Sequence, residues 1–278
     1  MLGRKTTGSV ICPSCGVLVG VNDDTCYNCG RIRPGMFGFA PLLRQLGNDL
    51  GFVEIVMGVC GVMFLASVLL FVAIGGPLAT TIMSIDARVL DVLGASGRSA
   101  VFLRGRWWTI LSASWLHGGL LHLVMNMMSV RNLVPGAASI FGPARTVIIY
   151  VIAGACGFLL SSYMGAPTTI GASASICGLI GAFVHYGRKS GSSLLYNQAL
   201  QWAFGIVVFG FAFRGIVDNY AHAGGFVGGY VVSAALNPLQ REKGDHMLIA
   251  AVCLLASFAS LLYAVIDSWP VISVAIFH

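Results

Sequence analysis

Two serines lie in an otherwise apolar segment, TIGASASICGLIGAF, at residues 169–183. Serine is small and only mildly polar, so close packing between membrane helices is one explanation for Ser173 and Ser175. Nucleophilic chemistry is the other explanation, and it needs a nearby base to activate the hydroxyl group. Histidine is the side chain that most often serves as this base. The positions of the histidines therefore bear directly on the choice between the two.

Candidate partners for a serine occur in two other apolar segments. His222 lies in NYAHAGGFVGGY (219–230), about one turn into a predicted helix, and could act as the base. His122 and Asn126 lie in LHGGLLHLVMNMM, and because they are four residues apart they share one face of a helix. Both side chains can donate hydrogen bonds to an oxyanion. Hydrogen bonding between neighbouring helices would explain the same His and Asn.

The composition indicates that membrane helices must position these residues. The 278 residues are 57% hydrophobic and 9% charged, with a mean hydropathy of +0.85, whereas soluble domains carry about 25% charged residues. The sequence therefore predicts an all-α polytopic membrane protein. We expect seven transmembrane spans, at approximately 53–76, 116–134, 146–164, 171–187, 199–213, 221–236 and 247–266.

The distribution of Lys and Arg predicts the orientation in the membrane. With a cytoplasmic N-terminus, eleven of the 16 Lys and Arg residues lie on the inner side, in agreement with the positive-inside rule. The C-terminus is then outside, and Ser173, His222, His122 and Asn126 lie at a similar shallow depth near the outer face. No signal or transit peptide is recognisable, so we expect the plasma membrane of a prokaryote.

Rows of small residues predict how the serine and the histidine meet. Small residues four positions apart let two helix backbones approach closely. Close approach would bring Ser173 and His222 within hydrogen-bond reach. Helix packing would then form the serine–histidine pair. The rows are Ala221, Gly225 and Gly229, with Gly224 and Gly228 beside them, and the matching surface is Ala174, Gly178 and Gly181–Ala182.

Four of the eight cysteines cluster near the N-terminus, as Cys12, Cys15, Cys26 and Cys29. Two C-x-x-C pairs, each followed by glycine, are typical of zinc-knuckle turns, and four thiolates suit one structural Zn²⁺. Two disulfide bonds are the alternative, and they require an oxidising compartment. The expected cytoplasmic location favours zinc. We predict a zinc ribbon at residues 1–33, containing a short hairpin whose turn is Asn22-Asp23-Asp24.

The remaining N-terminal residues, 34–50, are predicted to form a linker with interfacial character. The net charge of +6 is small for a nucleic-acid-binding protein, and few basic residues lie near the cysteines, so no nucleic-acid partner is expected. A protein partner of the ribbon is an open alternative.

The segments GASASICGL, AHAGGFVGG and HGGLLHLVMN together resemble the rhomboid family of intramembrane serine proteases. The family pattern is G-x-S on the fourth helix, a histidine followed by a small-xxx-small row on the sixth, and H-x-x-x-N on the second. All three occur here, in the chain order H-x-x-x-N, G-x-S and histidine with its small-residue row. The resemblance implies a rhomboid-like catalytic core of six helices at residues 51–240, with residues 241–278 as a seventh span and tail.

The resemblance also implies residue roles. It implies a catalytic dyad of Ser173 and His222 without an acidic third member, and the G-x-S order selects Ser173 over Ser175. It implies an oxyanion site formed by the Ser173 backbone N–H, His122 and Asn126, and no cofactor for catalysis. The implied partners are the lipid bilayer and transmembrane proteins, cleaved near their outer end. The alternative is an inactive rhomboid-like scaffold that binds or chaperones membrane proteins.

Two positions depart from the family pattern. Family members often have a Trp-Arg pair in a membrane-lying first loop, which would be residues 77–115 here. This chain has Trp108-Thr109 at that place, with Arg106 close by. An aromatic residue commonly packs under the catalytic histidine, four residues after the serine, whereas this chain has Cys177. The first difference bears on how the loop is anchored, and the second on the support of the His222 ring.

Overall fold

The computed structural model describes residues 4–13, 16–28, 30–41, 46–213, 215–240 and 242–277. Most of these residues are helical. In chain order the α-helices are α1 (Phe52–Ala73), α2 (Leu78–Thr81), α3 (Ala87–Val92), α4 (Thr109–Ser112), α5 (Leu120–Phe141), α6 (Pro143–Tyr163), α7 (Ser173–Ser190), α8 (Ser193–Ala212), α9 (Asn219–Ala235), α10 (Gly244–Asp267) and α11 (Trp269–Phe277).

Four of these helices, α1, α6, α8 and α10, are long and apolar enough to cross a membrane. They indicate an integral membrane protein. Helices α5, α7 and α9, which carry the predicted His, Asn and Ser site residues, are not among these four. The expected count of seven spans therefore stays a prediction for these three helices.

Helix α5 differs from the expected second span, 116–134. It begins at Leu120 and continues for six residues past Pro135. Proline removes one N–H from the hydrogen-bond ladder of the helix, and α5 continues past it. Asn48 donates through Nδ2 to the Pro135 carbonyl oxygen at 3.0 Å and to Ser139 Oγ at 2.6 Å. The chain before α1 is thereby attached to this part of α5.

The N-terminal module contains a two-stranded antiparallel sheet of β1 (Ser9–Ile11) and β2 (Leu18–Gly20). The predicted hairpin turn at Asn22-Asp23-Asp24 is wrong, because the two paired strands end at Ile11 and begin again at Leu18, so they are joined before β2 and not after it. Asp23 instead turns the chain after β2, where its Oδ2 accepts a hydrogen bond from Gly20 N at 2.7 Å.

The apolar core of this module extends beyond the hairpin. Ala40 is fully buried, and the Lys5 N–H donates to the Gly38 carbonyl oxygen at 3.0 Å, so the chain after residue 33 folds back onto the module. The domain boundaries 1–33, 34–50, 51–240 and 241–278 stay predictions. The buried core residues are Val10, Cys12, Val19, Val21, Cys26 and Ala40.

Helix α9 packs closely against both α6 and α7. A Cβ atom on Gly229 would overlap the carbonyl oxygen of Gly178 on α7, and one on Gly225 would overlap that of Ala174. This confirms the predicted contact between the row of Gly225 and Gly229 and the small residues of α7. The second row faces α6, since a Cβ on Gly224 would lie 3.0 Å from the Cys156 carbonyl oxygen.

The variant Gly229→Ala tests whether this contact stabilises the fold. We expect it to lower the free energy of unfolding by about 1–3 kcal/mol, because the added methyl group meets backbone that cannot move aside. Thermal unfolding in detergent micelles is the measurement. Gly205→Ala on α8 is the matched control, because nothing lies within 4 Å of that Cβ position and alanine favours helix. Equal melting temperatures for the two variants would contradict the account.

Candidate active site

Ser173 is the first residue of α7, and backbone hydrogen bonds fix the segment before it. Thr169 forms an isolated antiparallel bridge with Ser96, with N···O distances of 2.9 and 3.2 Å. The Gly171 N–H donates to the Ala113 carbonyl oxygen at 2.9 Å. Ser96 and Ala113 both precede α5, in the predicted first loop. The position of Ser173 therefore depends on that loop.

His222 is the fourth residue of α9 and lies against the start of α7. Its Nε2 is 2.9 Å from Ser173 Oγ, a hydrogen-bond distance. If Nε2 accepts the hydroxyl proton of Ser173, the proton of the neutral ring is on Nδ1. His222 Nδ1 is buried and has no hydrogen-bond partner among the described residues. The structure thus brings the two predicted residues together, and no described carboxylate bonds to the ring.

The two predicted oxyanion residues lie beside Gly171, two positions before the serine. A Cβ atom on Gly171 would be 2.7 Å from His122 Nε2 and 3.8 Å from Asn126 Nδ2. His122 Nδ1 accepts a hydrogen bond from Gly118 N at 3.4 Å, which leaves the proton of a neutral ring on Nε2. Asn126 is held in place because its Nδ2 donates to the His122 carbonyl oxygen at 2.9 Å.

Hydrogen-bond donors thus lie beside the segment that leads into Ser173. Besides the His122 ring and the Asn126 amide, the first N–H groups of α7 have no carbonyl partner within their own helix. The start of a helix also carries partial positive charge. An activated hydroxyl beside such donors can attack a carbonyl and stabilise the negative oxygen that forms, which is the chemistry of acyl transfer.

Ser175 has a different environment. It is fully buried, it lies against Gly154 of α6, and its Oγ has no hydrogen-bond partner in the described part of the chain. No described base contacts it. A buried hydroxyl in this position can pack between helices but cannot meet a substrate. Cys177, one turn beyond Ser173 on α7, is also buried.

Arg106 anchors the segment that precedes α5. Its side chain is 8% exposed and lies between two carboxylates: Nε is 3.1 Å from Asp267 Oδ2, without hydrogen-bond alignment, and Nη1 is 3.6 Å from Asp91 Oδ2. Nη1 also donates to the Asp91 carbonyl oxygen at 3.1 Å. Thr109, where the family often has arginine, donates through Oγ1 to the Arg106 carbonyl oxygen at 2.7 Å. An arginine three positions earlier thus attaches the loop to the end of α10.

Aromatic contacts hold the same segment against α10. The rings of Trp108 and Tyr263 are perpendicular, with centroids 4.5 Å apart, and Trp115 lies 5.5 Å from Phe258. Trp115 is 1% exposed and belongs to the core. Pairs with this geometry contribute about 0.5–1.5 kcal/mol each beyond the area that they bury.

Asp218 is a residue near the site that the sequence analysis missed. It is the N-cap of α9, four residues before His222, and its Oδ1 accepts a hydrogen bond from Ala221 N at 3.0 Å. An aspartate directly before an apolar helical segment is a recognised helix-start signal. That signal could have identified its structural role, but not its contact with Ser161 on α6.

The described residues of the two C-x-x-C motifs form the same pair of backbone hydrogen bonds. In each turn, the N–H of the first cysteine donates to the carbonyl oxygen five residues on, and the glycine N–H four residues on donates back, all at 2.8–2.9 Å. Cys12 and Cys26, the first cysteines, are buried. Cys15 and Cys29 lie outside the described residues. Among those described, no group of three or more potential metal ligands is present.

The fold and the site define an integral membrane protein in which a serine and a histidine on adjacent helices share a hydrogen bond. Residues 104–239 match the family model described as Rhomboid domain. The chain is 30% identical over 183 residues to Rhomboid protease GluP of Bacillus subtilis (strain 168), a match that covers 65% of this chain and 36% of the relative.

Two plant proteins give similar matches. RHOMBOID-like protein 7 of Arabidopsis thaliana is 30% identical over 162 residues, which is 54% of this chain and 50% of the relative. Inactive RHOMBOID-like protein 8 of the same organism is 32% identical over 148 residues, which is 51% of this chain and 42% of the relative. These matches support placing the chain in the rhomboid family. The chain spans between about a third and a half of the length of these relatives.

The variant Gly171→Ala tests the arrangement of the donors. A fluorophosphonate probe reacts with an activated serine, and its phosphoryl oxygen needs the same donors as an oxyanion. Because the new methyl group would lie against the His122 ring, we expect the labelling rate of Ser173 to fall about 100-fold or more.

Gly165→Ala is the matched control for Gly171→Ala. Gly165 also has a positive φ, +98° against +113°, but nothing lies within 4 Å of its Cβ position. Both variants therefore carry backbone strain, and only one obstructs the donors. A similar loss of labelling in both would show that strain, and not the His122 contact, is responsible.

Proposed function

We propose that the protein is an intramembrane serine endopeptidase that cleaves transmembrane helices of other membrane proteins near their outer end. The observation that carries the proposal is the 2.9 Å contact between Ser173 Oγ and His222 Nε2. The helices on which these residues lie touch backbone to backbone, so the contact belongs to the packed fold. The match to the rhomboid domain and the similarity to the protease GluP support the same assignment.

The chemistry would proceed by acyl transfer. Ser173 Oγ attacks the scissile carbonyl carbon while His222 Nε2 takes the hydroxyl proton, and the imidazolium then gives this proton to the leaving amine. The negative oxygen of the tetrahedral intermediate accepts hydrogen bonds from the Ser173 N–H, His122 Nε2 and Asn126 Nδ2. Water, activated by the neutral His222, then hydrolyses the ester and restores the serine.

We further propose that α5, α7 and α9 cross the membrane together with the four apolar helices. The first turns of α5, α7 and α9 meet at the site, through His122, Ser173 and His222. With a cytoplasmic N-terminus, these three starts lie at the outer end, where water can reach the ester. The lipid environment is the plasma membrane of a prokaryote in this proposal.

A non-catalytic scaffold that binds or chaperones membrane proteins is the second candidate. It is favoured by the similarity to Inactive RHOMBOID-like protein 8 and by the small Cys177 one turn after Ser173. A scaffold would hold a transmembrane helix without cutting it. The two candidates therefore differ in one observable product, the cleaved helix.

Cleavage of a single-span model substrate in proteoliposomes tests the proposal. We expect the wild type to cut the substrate near the outer end of its helix. Ser173→Ala and His222→Ala should each lose at least about a thousandfold in rate, since neither half of the dyad works alone. Ser175→Ala is the matched control and should stay within a few-fold of the wild type. Cleavage that persists in Ser173→Ala would contradict the proposal and indicate a contaminating protease. Substrate that is bound by the wild type but never cut would also contradict it and favour the scaffold.

We also propose that Cys12, Cys15, Cys26 and Cys29 hold one structural Zn²⁺. The proposal is supported by the two equivalent turns and by the burial of Cys12 and Cys26 in the core of the module. A module of about 40 residues has too small a core to fold without a crosslink or a metal. Four thiolates on a tetrahedral ion would supply that folding energy. The ribbon could present its surface to a protein partner, and no nucleic-acid partner is proposed.

Zinc analysis of the purified protein tests this second proposal. We expect inductively coupled plasma mass spectrometry to find one zinc ion per chain. The Cys12→Ser variant should lose most of its zinc. Cys253→Ser, on α10 and far from the module in sequence, is the control and should retain the metal. Zinc-free protein would instead show two disulfide bonds if its N-terminal cysteines react with an alkylating reagent only after treatment with a reductant.

A further inference from the structure

Both carboxylate oxygens of Asp218 accept hydrogen bonds at the start of α9. Oδ1 accepts the hydrogen bond from Ala221 N at 3.0 Å. Oδ2 accepts a hydrogen bond from Ser161 Oγ on α6. Ser161 is fully buried, so the carboxylate is held between two helices and cannot rotate freely. Its negative charge is therefore held in a fixed position at the N-terminal end of α9.

The carboxylate lies one helical turn before the ring of His222. The His222 N–H donates to the Asp218 carbonyl oxygen at 3.1 Å, which is the ordinary bond between residues four apart in a helix. This bond places Asp218, the N-cap, one helical turn before His222 on the same helix. The Asp218 charge interacts electrostatically with the ring. It makes no hydrogen bond to His222 Nδ1, which has no such partner in the described part of the chain.

A negative charge near His222 would stabilise the imidazolium that forms when the ring accepts the Ser173 proton. Once His222 accepts the proton, a cation stands in a partly buried site, where an isolated charge is costly. The groups on neighbouring helices that act on the ring are His122 on α5 and Ser173 on α7. Of these, His122 is titratable and interacts electrostatically with His222, and a proton on it would oppose the imidazolium. Asp218 is the acidic group among the described residues that acts on the ring.

We propose that Asp218 is a positioning residue that stabilises protonated His222 through its charge, without a hydrogen bond to the ring. The inference rests on the proposed protease function. Asp218 would do part of the work that a directly bonded aspartate does in a catalytic triad, at the distance of one helical turn. Ser161 would serve it by fixing the carboxylate. The N-cap and the charge are separate contributions of one side chain, and they can be separated experimentally.

The variant Asp218→Asn separates the two contributions. Asparagine caps helices as well as aspartate does. Its carbonyl oxygen can still accept from Ala221 N, and its amide nitrogen can donate to Ser161 Oγ. The substitution therefore keeps the geometry and removes the charge. The readout is the rate of fluorophosphonate labelling of Ser173, measured across pH in the full-length protein.

The expected direction follows from the role of His222 as a base. Labelling needs the neutral ring, so the rate rises with pH as the imidazolium loses its proton. A neighbouring negative charge favours the imidazolium, and its removal lets the proton leave at lower pH. We expect the midpoint of the acid limb to move down by about 0.5–1 pH unit in Asp218→Asn. The plateau rate should fall by about three- to tenfold, because the imidazolium formed during reaction is less stable.

Two further variants complete the test. Asp86→Asn changes another N-cap aspartate, at the exposed start of α3, and should alter neither the midpoint nor the plateau. Asp218→Ala removes both cap and charge, so it should show the same shift of the midpoint together with a lower melting temperature.

An unchanged midpoint and plateau in Asp218→Asn, with Ser173-dependent labelling in the wild type, would overturn this inference alone. A uniform loss of rate at every pH, without a shift of the midpoint, would also overturn it and assign Asp218 a purely structural role. Wild-type protein that is folded but shows no Ser173-dependent labelling would overturn the proposed function and this inference together.

Discussion

The backbone contact between α7 and α9 is the interaction on which the site depends. At Gly225 and Gly229 no side chain fits between the two helices, and each glycine lies against a carbonyl oxygen of α7. Lipid tails are as apolar as the helix surfaces, so helix association in a membrane relies on close van der Waals packing. This packing sets the distance between the two backbones, and Ser173 and His222 at the starts of the helices reach each other at 2.9 Å because of it.

The site also depends on parts of the chain that contribute no reacting atom. The bond from Gly171 to Ala113 attaches the residues before Ser173 to the first loop, and the same glycine leaves space for the His122 ring. The loop is in turn attached to the end of α10, because Arg106 lies between Asp91 and Asp267. The C-terminal helix is therefore part of the support of the site. The first loop is therefore anchored by an arginine, Arg106, which lies three positions before Thr109.

The sequence allowed the candidate site to be predicted because polar residues stand out in an apolar chain. Ser173, His222, His122 and Asn126 were recognisable by their type, their helical spacing and the glycine row beside them. The contacts of Asp218 with Ser161 and of Arg106 with Asp267 join residues 57 and 161 positions apart, and periodicity carries no information on such pairs. Two local predictions failed for physical reasons. The two strands of the hairpin are joined between Ile11 and Leu18, and not at the Asn-Asp-Asp sequence. Helix α5 continues through Pro135 with one backbone N–H fewer.

The most direct test of this account is to map the fluorophosphonate adduct by mass spectrometry in folded, detergent-purified protein. The account predicts one modified residue, Ser173, with the probe's phosphorus bonded to Oγ and fluoride released. It also predicts that His222→Ala, which leaves Ser173 and the glycine row in place, abolishes the adduct. An adduct on Ser175, or equal modification of Ser173 with and without His222, would contradict the claim that helix packing creates an activated serine.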